Sequence, residues 1–363
     1  MSAFEYATRV KRLHEQMVDG GVDVTLLSVG ADLPYFTGYE AMPSERLTVL
    51  VVPASQDPVL FVPELEAPRV EGGDFEMRAW GELDDPVELV SSLVTSPDTV
   101  AVGDHMWSIF LTRFQKHWIG ASWIPASEIT RPLRMRKDRG EIDLLHEAAH
   151  AVDRVMARIP AEVRFSGRTE SDVARDLAGL TVEEGHERAE FTIVASGPNA
   201  ASPHHEPGER VIEEGDLVVC DFGGRLDGYF SDSTRTFTVG EPNMLHREVH
   251  FVVEAANRAG REAVAPDVPC QEIDRAARRV VTDAGYGPYF IHRTGHGIGL
   301  EVHEHPYVVE GNETPLEPGM TFSVEPGIYL PGEFGVRIED IVVCTEEAGE
   351  SLNRAERGLI PVG

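Results

Sequence analysis

The sequence predicts two domains of mixed helix and strand: an α/β domain over residues 1–133, a linker at 134–140, and a second domain over 141–363. Three observations carry this reading. At 363 residues the chain is long for one hydrophobic core. Its first third alternates short apolar runs with helical spacing. Arg131–Gly140 (RPLRMRKDRG) then interrupts an acidic chain with a proline and a cluster of basic residues.

Composition narrows the function classes. With 62 acidic and 32 basic residues the formal net charge is -30, which argues against nucleic acid or an anionic membrane as partner. No apolar run of about 18 residues and no charged-then-apolar leader occurs, so a soluble, cytoplasmic chain is expected. Cys220, Cys270 and Cys344 have no paired spacing and read as reduced core thiols.

In the first domain, Phe4–Met17 has helical spacing through Tyr6, Val10, Leu13 and Met17. Strands are expected at Val24–Val29, Leu47–Val52, Val59–Val62 and Val100–Val102, with a helix near Pro86–Leu93. Asp32–Tyr39 (DLPYFTGY) reads as a loop and strand, and Gly72-Gly73 as a turn.

The second domain opens on a capping box, Asp138 with Glu141, and a helix to about Arg158 with Ile142, Leu145, Ala149, Val152 and Met156 buried. His146-Glu147-Ala148-Ala149-His150 on this helix matches the two-histidine zinc-peptidase pattern. It lacks an evident third ligand, and both histidines flank the buried stripe, so it reads as part of a packing helix. Thr169 with Asp172 caps a further helix, and Phe191–Ala195 is a strand. That strand ends in the loop Ser196–His205 (SGPNAASPHH), whose His204 and His205 read as surface residues or substrate contacts.

The next stretch organises the domain. Leu217–Cys220 is a buried strand, Asp227-Gly228 a two-residue turn, and Tyr229–Val239 the return strand. This register sets Leu226 against Tyr229 and Gly223 against Asp232, and puts Asp221 and Asp232 on one face. They are either two solvated carboxylates or a pair neutralised by cations, with Gly223 leaving space between them. Helices follow at about Leu245–Ala263 and Cys270–Asp283. His292, His296, His303 and His305 then fall within fourteen residues, with glycines on both sides of His296. A second hairpin spans Thr321–Glu325 and Val336–Val343; Arg337 and Glu339 share the face opposite Val336 and Ile338.

Asp221, Asp232, His296, Glu325 and Glu339 resemble, in order, type and spacing, the five metal ligands of the pita-bread metallopeptidases. DFGGRLDGYFSDSTRT, GHGIGLEVHEHP, VEPGIYLPGEFGVRIED and SGPNAASPHH all look like that family. DLPYFTGY and the linker resemble its two-domain branch, which holds prolidase and aminopeptidase P. Methionine aminopeptidase shares the second half only, and creatinase lacks the ligand set. The resemblance implies a creatinase-like α/β N-terminal domain followed by an α+β pita-bread catalytic domain.

It also implies two divalent metal ions: Mn²⁺ foremost, with Co²⁺, Zn²⁺ and Fe²⁺ as the other candidates for such donors. Asp221 would chelate one ion and His296 with Glu325 the other, with Asp232 and Glu339 bridging. A metal-bridging hydroxide would cleave the Xaa-Pro bond of a dipeptide or short peptide. His303 would stabilise the oxyanion, Glu325 shuttle a proton, and His204 contact the residue after the scissile bond. His292, Tyr329 and Arg337 join the substrate-binding set; Arg337 would orient Glu339 or pair with a substrate carboxylate, as would His204 or Arg46. The alternative is a metal-dependent enzyme of the same fold acting on another small amide or carboxylate. The family further implies a homodimer.

Overall fold

The computed structural model describes residues 6–71, 73 and 75–363. Phe4, at the start of the first expected helix, and Gly72 of the expected turn lie outside them. The chain divides into compact units at Met1–Arg134 and Met135–Gly363. Among the described residues no helix is long and apolar enough to cross a membrane.

The first unit runs α1 (Tyr6–Gly20), β1 (Val24–Leu27), α2 (Asp32–Thr37), β2 (Val49–Pro53), β3 (Val59–Pro63), β4 (Glu76–Trp80), α3 (Pro86–Leu93), β5 (Thr99–Val102), α4 (Ser108–His117), β6 (Ser122–Pro125) and α5 (Ser127–Met135). Its sheet has the order β4-β3-β2-β1-β5-β6. β1 is antiparallel to β2 and parallel to β5. The apolar runs are strands buried on both faces: every residue of β1, β2 and β3 is buried, and on one face Leu26, Val49, Val51 and Phe61 pack with Phe110, Phe114 and Trp118.

Two expectations change here. Asp32–Thr37 is a helix, not loop and strand. Pro34 lies in its first turn, where a missing N–H costs no intrahelical bond, and Gly38 ends it at φ 72°. The expected linker 134–140 is also partly helical. α5 continues through Met135 with Pro132 inside it, and the next helix starts at Arg139, so only Arg136–Asp138 are non-helical.

The second unit runs α6 (Arg139–Glu162), α7 (Glu170–Glu183), β7 (Arg188–Ser196), β8 (Leu217–Leu226), β9 (Tyr229–Phe230), β10 (Ser233–Val239), α8 (Met244–Glu262), α9 (Cys270–Asp283), β11 (Gly295–Gly297), β12 (Glu304–Val308), β13 (Thr321–Val324), β14 (Gly327–Leu330), β15 (Phe334–Arg337), β16 (Asp340–Cys344), β17 (Gly349–Ser351) and β18 (Ile360–Val362). One sheet has the order β18-β10-β8-β7 with β9 on β8; another runs β12-β11-β13-β16-β17; β14 and β15 form a ribbon.

Helix pairs cover the apolar backs of these strands. Val152, Val155 and Ile159 of α6 and Leu177 of α7 pack on Val218, Cys220 and Phe222 of β8. Val249, Val253 and Val281 of α8 and α9 pack on Ile328, Leu330, Val336 and Ile338. Because side chains alternate along a strand, Asp221 leaves the core face that Cys220 and Phe222 occupy. Arg337 and Glu339 likewise oppose Val336 and Ile338.

Candidate metal centre

The first hairpin keeps one register from turn to stem. Leu226 pairs with Tyr229, Ser233 with Phe222 and Thr234 with Asp221. Pairing is interrupted at Ser231-Asp232, where Ser231 Oγ accepts from Gly224 N at 3.0 Å. The Asp232 carboxylate lies with Asp221 in one donor group. Gly223 is needed for another reason than space between the aspartates: a Cβ there would stand 2.0 Å from the Ser231 carbonyl oxygen.

The second hairpin breaks in the matching place. The expected strand Val336–Val343 is two strands, β15 on β14 and β16 on β13, separated by Ile338-Glu339. Freed from a partner strand, Glu339 N bonds to Thr234 O at 3.1 Å, and Glu339 Oε2 accepts from Thr234 Oγ1 at 2.7 Å. Thr236 Oγ1 accepts from Arg337 N at 3.1 Å and donates to Arg337 O at 3.0 Å. Two threonines of β10 therefore stitch the hairpins together.

Ligand-capable atoms of Asp221, Asp232 and Glu339 lie within 4.8 Å of one another, as do those of His296, Glu325 and Glu339, and those of Asp232, His296 and His303. Asp232, His296 and Glu339 each belong to two groups. These side chains line one cavity of about 520 Å³, together with Phe191, Ile193, Pro203, His204, His292, Arg293, Val302 and Arg337. That volume suits a small ligand.

The site is chemically short of positive charge. Burial, then Glu339 and Asp221, hold the Asp232 carboxyl well above its ordinary range. Burial, then Glu325 and Asp221, do the same to Glu339. Burial raises Glu325 to about 7. Asp221 Oδ2 is held by Arg337 Nη2 at 2.5 Å, while its buried Oδ1 has no hydrogen-bond partner. His296 Nδ1 lies 3.1 Å from Gly297 O, which can only accept, so the ring proton belongs there. Its Nε2 then faces Glu325 Oε1 at 3.4 Å and Asp232 Oδ2 at 3.6 Å, lone pair toward lone pairs. Burial, then His303, push that imidazole down to about 3. An orphaned carboxylate oxygen, crowded acids and a lone pair aimed among them fit divalent cations with oxygen-rich coordination.

Other expected site residues separate. His204 and His303 line the cavity and are exposed. His303 sits 4.1 Å, centroid to centroid, from His296. His205 points away, to Glu170 Oε2 at 2.7 Å. His292 lines the cavity, but its Nε2 is 2.9 Å from Tyr329 Oη. Tyr329 is not a lining residue: its ring is buried, and its hydroxyl also accepts from Arg337 Nη1 at 2.9 Å. Arg337 bonds Asp221 rather than Glu339, and Thr234 Oγ1 and Pro203 O also accept from it, so its guanidinium is committed to protein partners. Arg46 is paired with Glu45 and Glu82.

Sequence reasoning missed Thr234, Phe191, Ile193, Arg293 and Val302. Ile193 pairs with Asp221 and Phe191 with Gly223, so both share the aspartate face. Only the pairing of β7 with β8 reveals this. Among the described residues, no group able to hold a metal includes His146 or His150. His146 Nε2 is 3.8 Å from Glu350, and packing explains the motif.

An α/β unit followed by an α+β unit that gathers four carboxylates and an imidazole defines a pita-bread metallopeptidase of the two-domain prolidase branch. The signature of metallopeptidase family M24 matches residues 143–346, and that of the creatinase/prolidase N-terminal domain residues 9–136; the chain belongs to this family. It is 44% identical to a probable dipeptidase PepE of Mycobacterium tuberculosis, over 98% of this chain and 96% of the relative. A Xaa-Pro dipeptidase of Lactobacillus helveticus is 37% identical, with 97% and 98% covered. The crystal structure of a prolidase from Thermococcus sibiricus superposes with a TM-score of 0.94 at 34% identity, covering 99% of this chain and all of that one.

Proposed function

We propose that the protein is a two-metal Xaa-Pro dipeptidase, acting in the cytoplasm as a homodimer with Mn²⁺ as its metal. The observation that carries the reading is the pair of donor groups, Asp221–Asp232–Glu339 and His296–Glu325–Glu339, meeting at Glu339 in one cavity. Relatives named Xaa-Pro dipeptidase and dipeptidase support the substrate class.

Asp221 would hold one ion, His296 and Glu325 the other, with Asp232 and Glu339 shared. Bound there, the ions supply Lewis acidity and make a water acidic enough to act as nucleophile near neutral pH. The chain's own residues do the rest. Glu325, at the cavity wall, takes the proton of the attacking water and returns it to the proline nitrogen as the C–N bond breaks. His303 faces the same space and donates to the carbonyl oxygen as negative charge builds there. His204 orients the residue after the scissile bond. Proline nitrogen carries no hydrogen in a peptide, so recognition falls to its ring, for which Phe191, Ile193 and Val302 offer an apolar wall. With Arg337 committed to Asp221, Arg293 is the cavity cation suited to a dipeptide carboxylate.

Elemental analysis of purified protein, with chelation and Mn²⁺ or Co²⁺ add-back, tests the reading against Xaa-Pro dipeptides, longer Xaa-Pro peptides and dipeptides without proline. Two ions per chain and metal-dependent cleavage of the first group are expected. Metal-loaded protein that cleaves none of them returns the question to another amide or carboxylate substrate. Light scattering of the native protein tests the dimer.

A further inference from the structure

The loop between β7 and β8 folds around a carboxylate that the chemistry above does not use. Glu170, the first residue of α7, is fully buried at 0% exposure. Its Oε1 accepts from Ser196 N at 2.8 Å, Ser196 Oγ at 2.7 Å and Asn199 Nδ2 at 3.1 Å. Its Oε2 accepts from His205 Nε2 at 2.7 Å and Gly208 N at 3.3 Å. Burial alone would raise this carboxyl, but the bonds from Ser196 and His205 outweigh it and hold the group below its ordinary range. A position in the first turn of α7 also favours an anion.

His204 is the loop's cavity-lining histidine, and both its neighbours are pinned. Pro203 O accepts from Arg337 Nη1 at 3.1 Å, and the His205 ring is committed to Glu170. With one histidine turned inward to the carboxylate, the other is turned to the cavity. We propose that Glu170 is a positioning residue for the substrate pocket, ordering residues 196–208 so that His204 is presented to the substrate. The kinetic consequence rests on the peptidase reading above; the structural one does not.

Glu170→Gln keeps the shape but replaces one acceptor oxygen with a donating amide, which cannot accept from the donors gathered there. Hydrogen exchange of the intact protein should show the Ser196 and Gly208 amides exchanging about tenfold faster or more, with β8 and β10 unchanged. Catalytic efficiency toward a Xaa-Pro dipeptide should fall about tenfold, mainly through KM. In a His204→Ala background the same change should add less than about twofold. Should Glu170→Gln not fold, Asn199→Ala removes one arm of the network and should move both readouts the same way by less. Unchanged exchange across 196–208, or equal penalties with and without His204, overturns the proposal. A wild-type protein without Xaa-Pro turnover rejects the function instead, and the exchange measurement then decides the role of Glu170.

Discussion

The innermost residues of the cavity and those at its rim are held by different means. Asp221, Asp232, His296 and Glu339 are buried, and their positions follow from strand register and from main-chain bonds between two hairpins. His204, His292, Arg293 and His303 stand on loops, each fixed by a buried charge outside the donor set. Glu170 holds the loop of His204. Asp274 accepts from Thr294 N at 3.1 Å and pairs with Arg278, which donates to the carbonyls of Phe290 and His292. Lys137 Nζ lies 2.6 Å from Glu304 Oε1, directly after His303. Strand register and main-chain bonds place the donor cluster, whereas single buried carboxylates anchor the loops that carry the rim residues.

Asp232→Ala should break the contrast most sharply. Removing a carboxylate shared by two donor groups should cost at least about a thousandfold in turnover and lower the bound metal, read by kinetics and elemental analysis. Thr234→Val comes next. It keeps the strand but removes the Thr234 Oγ1 bond to Glu339 Oε2 at 2.7 Å. Outer hydrogen bonds of this kind are worth about 10- to 100-fold in metal affinity, measurable by competition with a chelator.

Acidity sharpens the comparison in a third way. In chelator-stripped protein Glu325 rises from 4.5 to about 7 when folded, so the native state keeps a proton that the unfolded chain has released. The stripped protein should therefore have the stability contributed by Glu325 in full below pH 4.5 and lose it as pH rises toward 7. Its melting temperature should drop across that window, and Mn²⁺ should raise it more at pH 7 than at pH 5. The smallest effect belongs to His150→Ala, which should leave activity within about twofold because His150 lies in none of the donor groups.

Much of this was legible from residue order. Asp227-Gly228 set the hairpin register, and it continues through the stem as the two-residue turn requires. α3 and α9 begin and end where their apolar spacing does. What escaped was non-local. Arg337 finds Asp221 across 116 positions and Thr234 finds Glu339 across 105, pairings that no local period encodes. Glu170 resembled any acidic residue in a first helical turn, since its partners lie 26 or more positions away. β4 was missed because four of its five residues are exposed and lack the alternation of a half-buried strand. α2 was missed because a proline and two aromatics in six residues look extended.

Lys137 carries a practical consequence. The chain has three lysines among its 32 basic residues, and this one, with 1% of its side chain exposed, is sealed against Glu304. The other two, Lys11 and Lys116, are exposed and both belong to the first compact unit. Amine-directed dyes, cross-linkers or resins should therefore grip the protein by side chains of that unit alone, giving a tethered or fluorescent form whose second unit has no lysine within the reagent's reach.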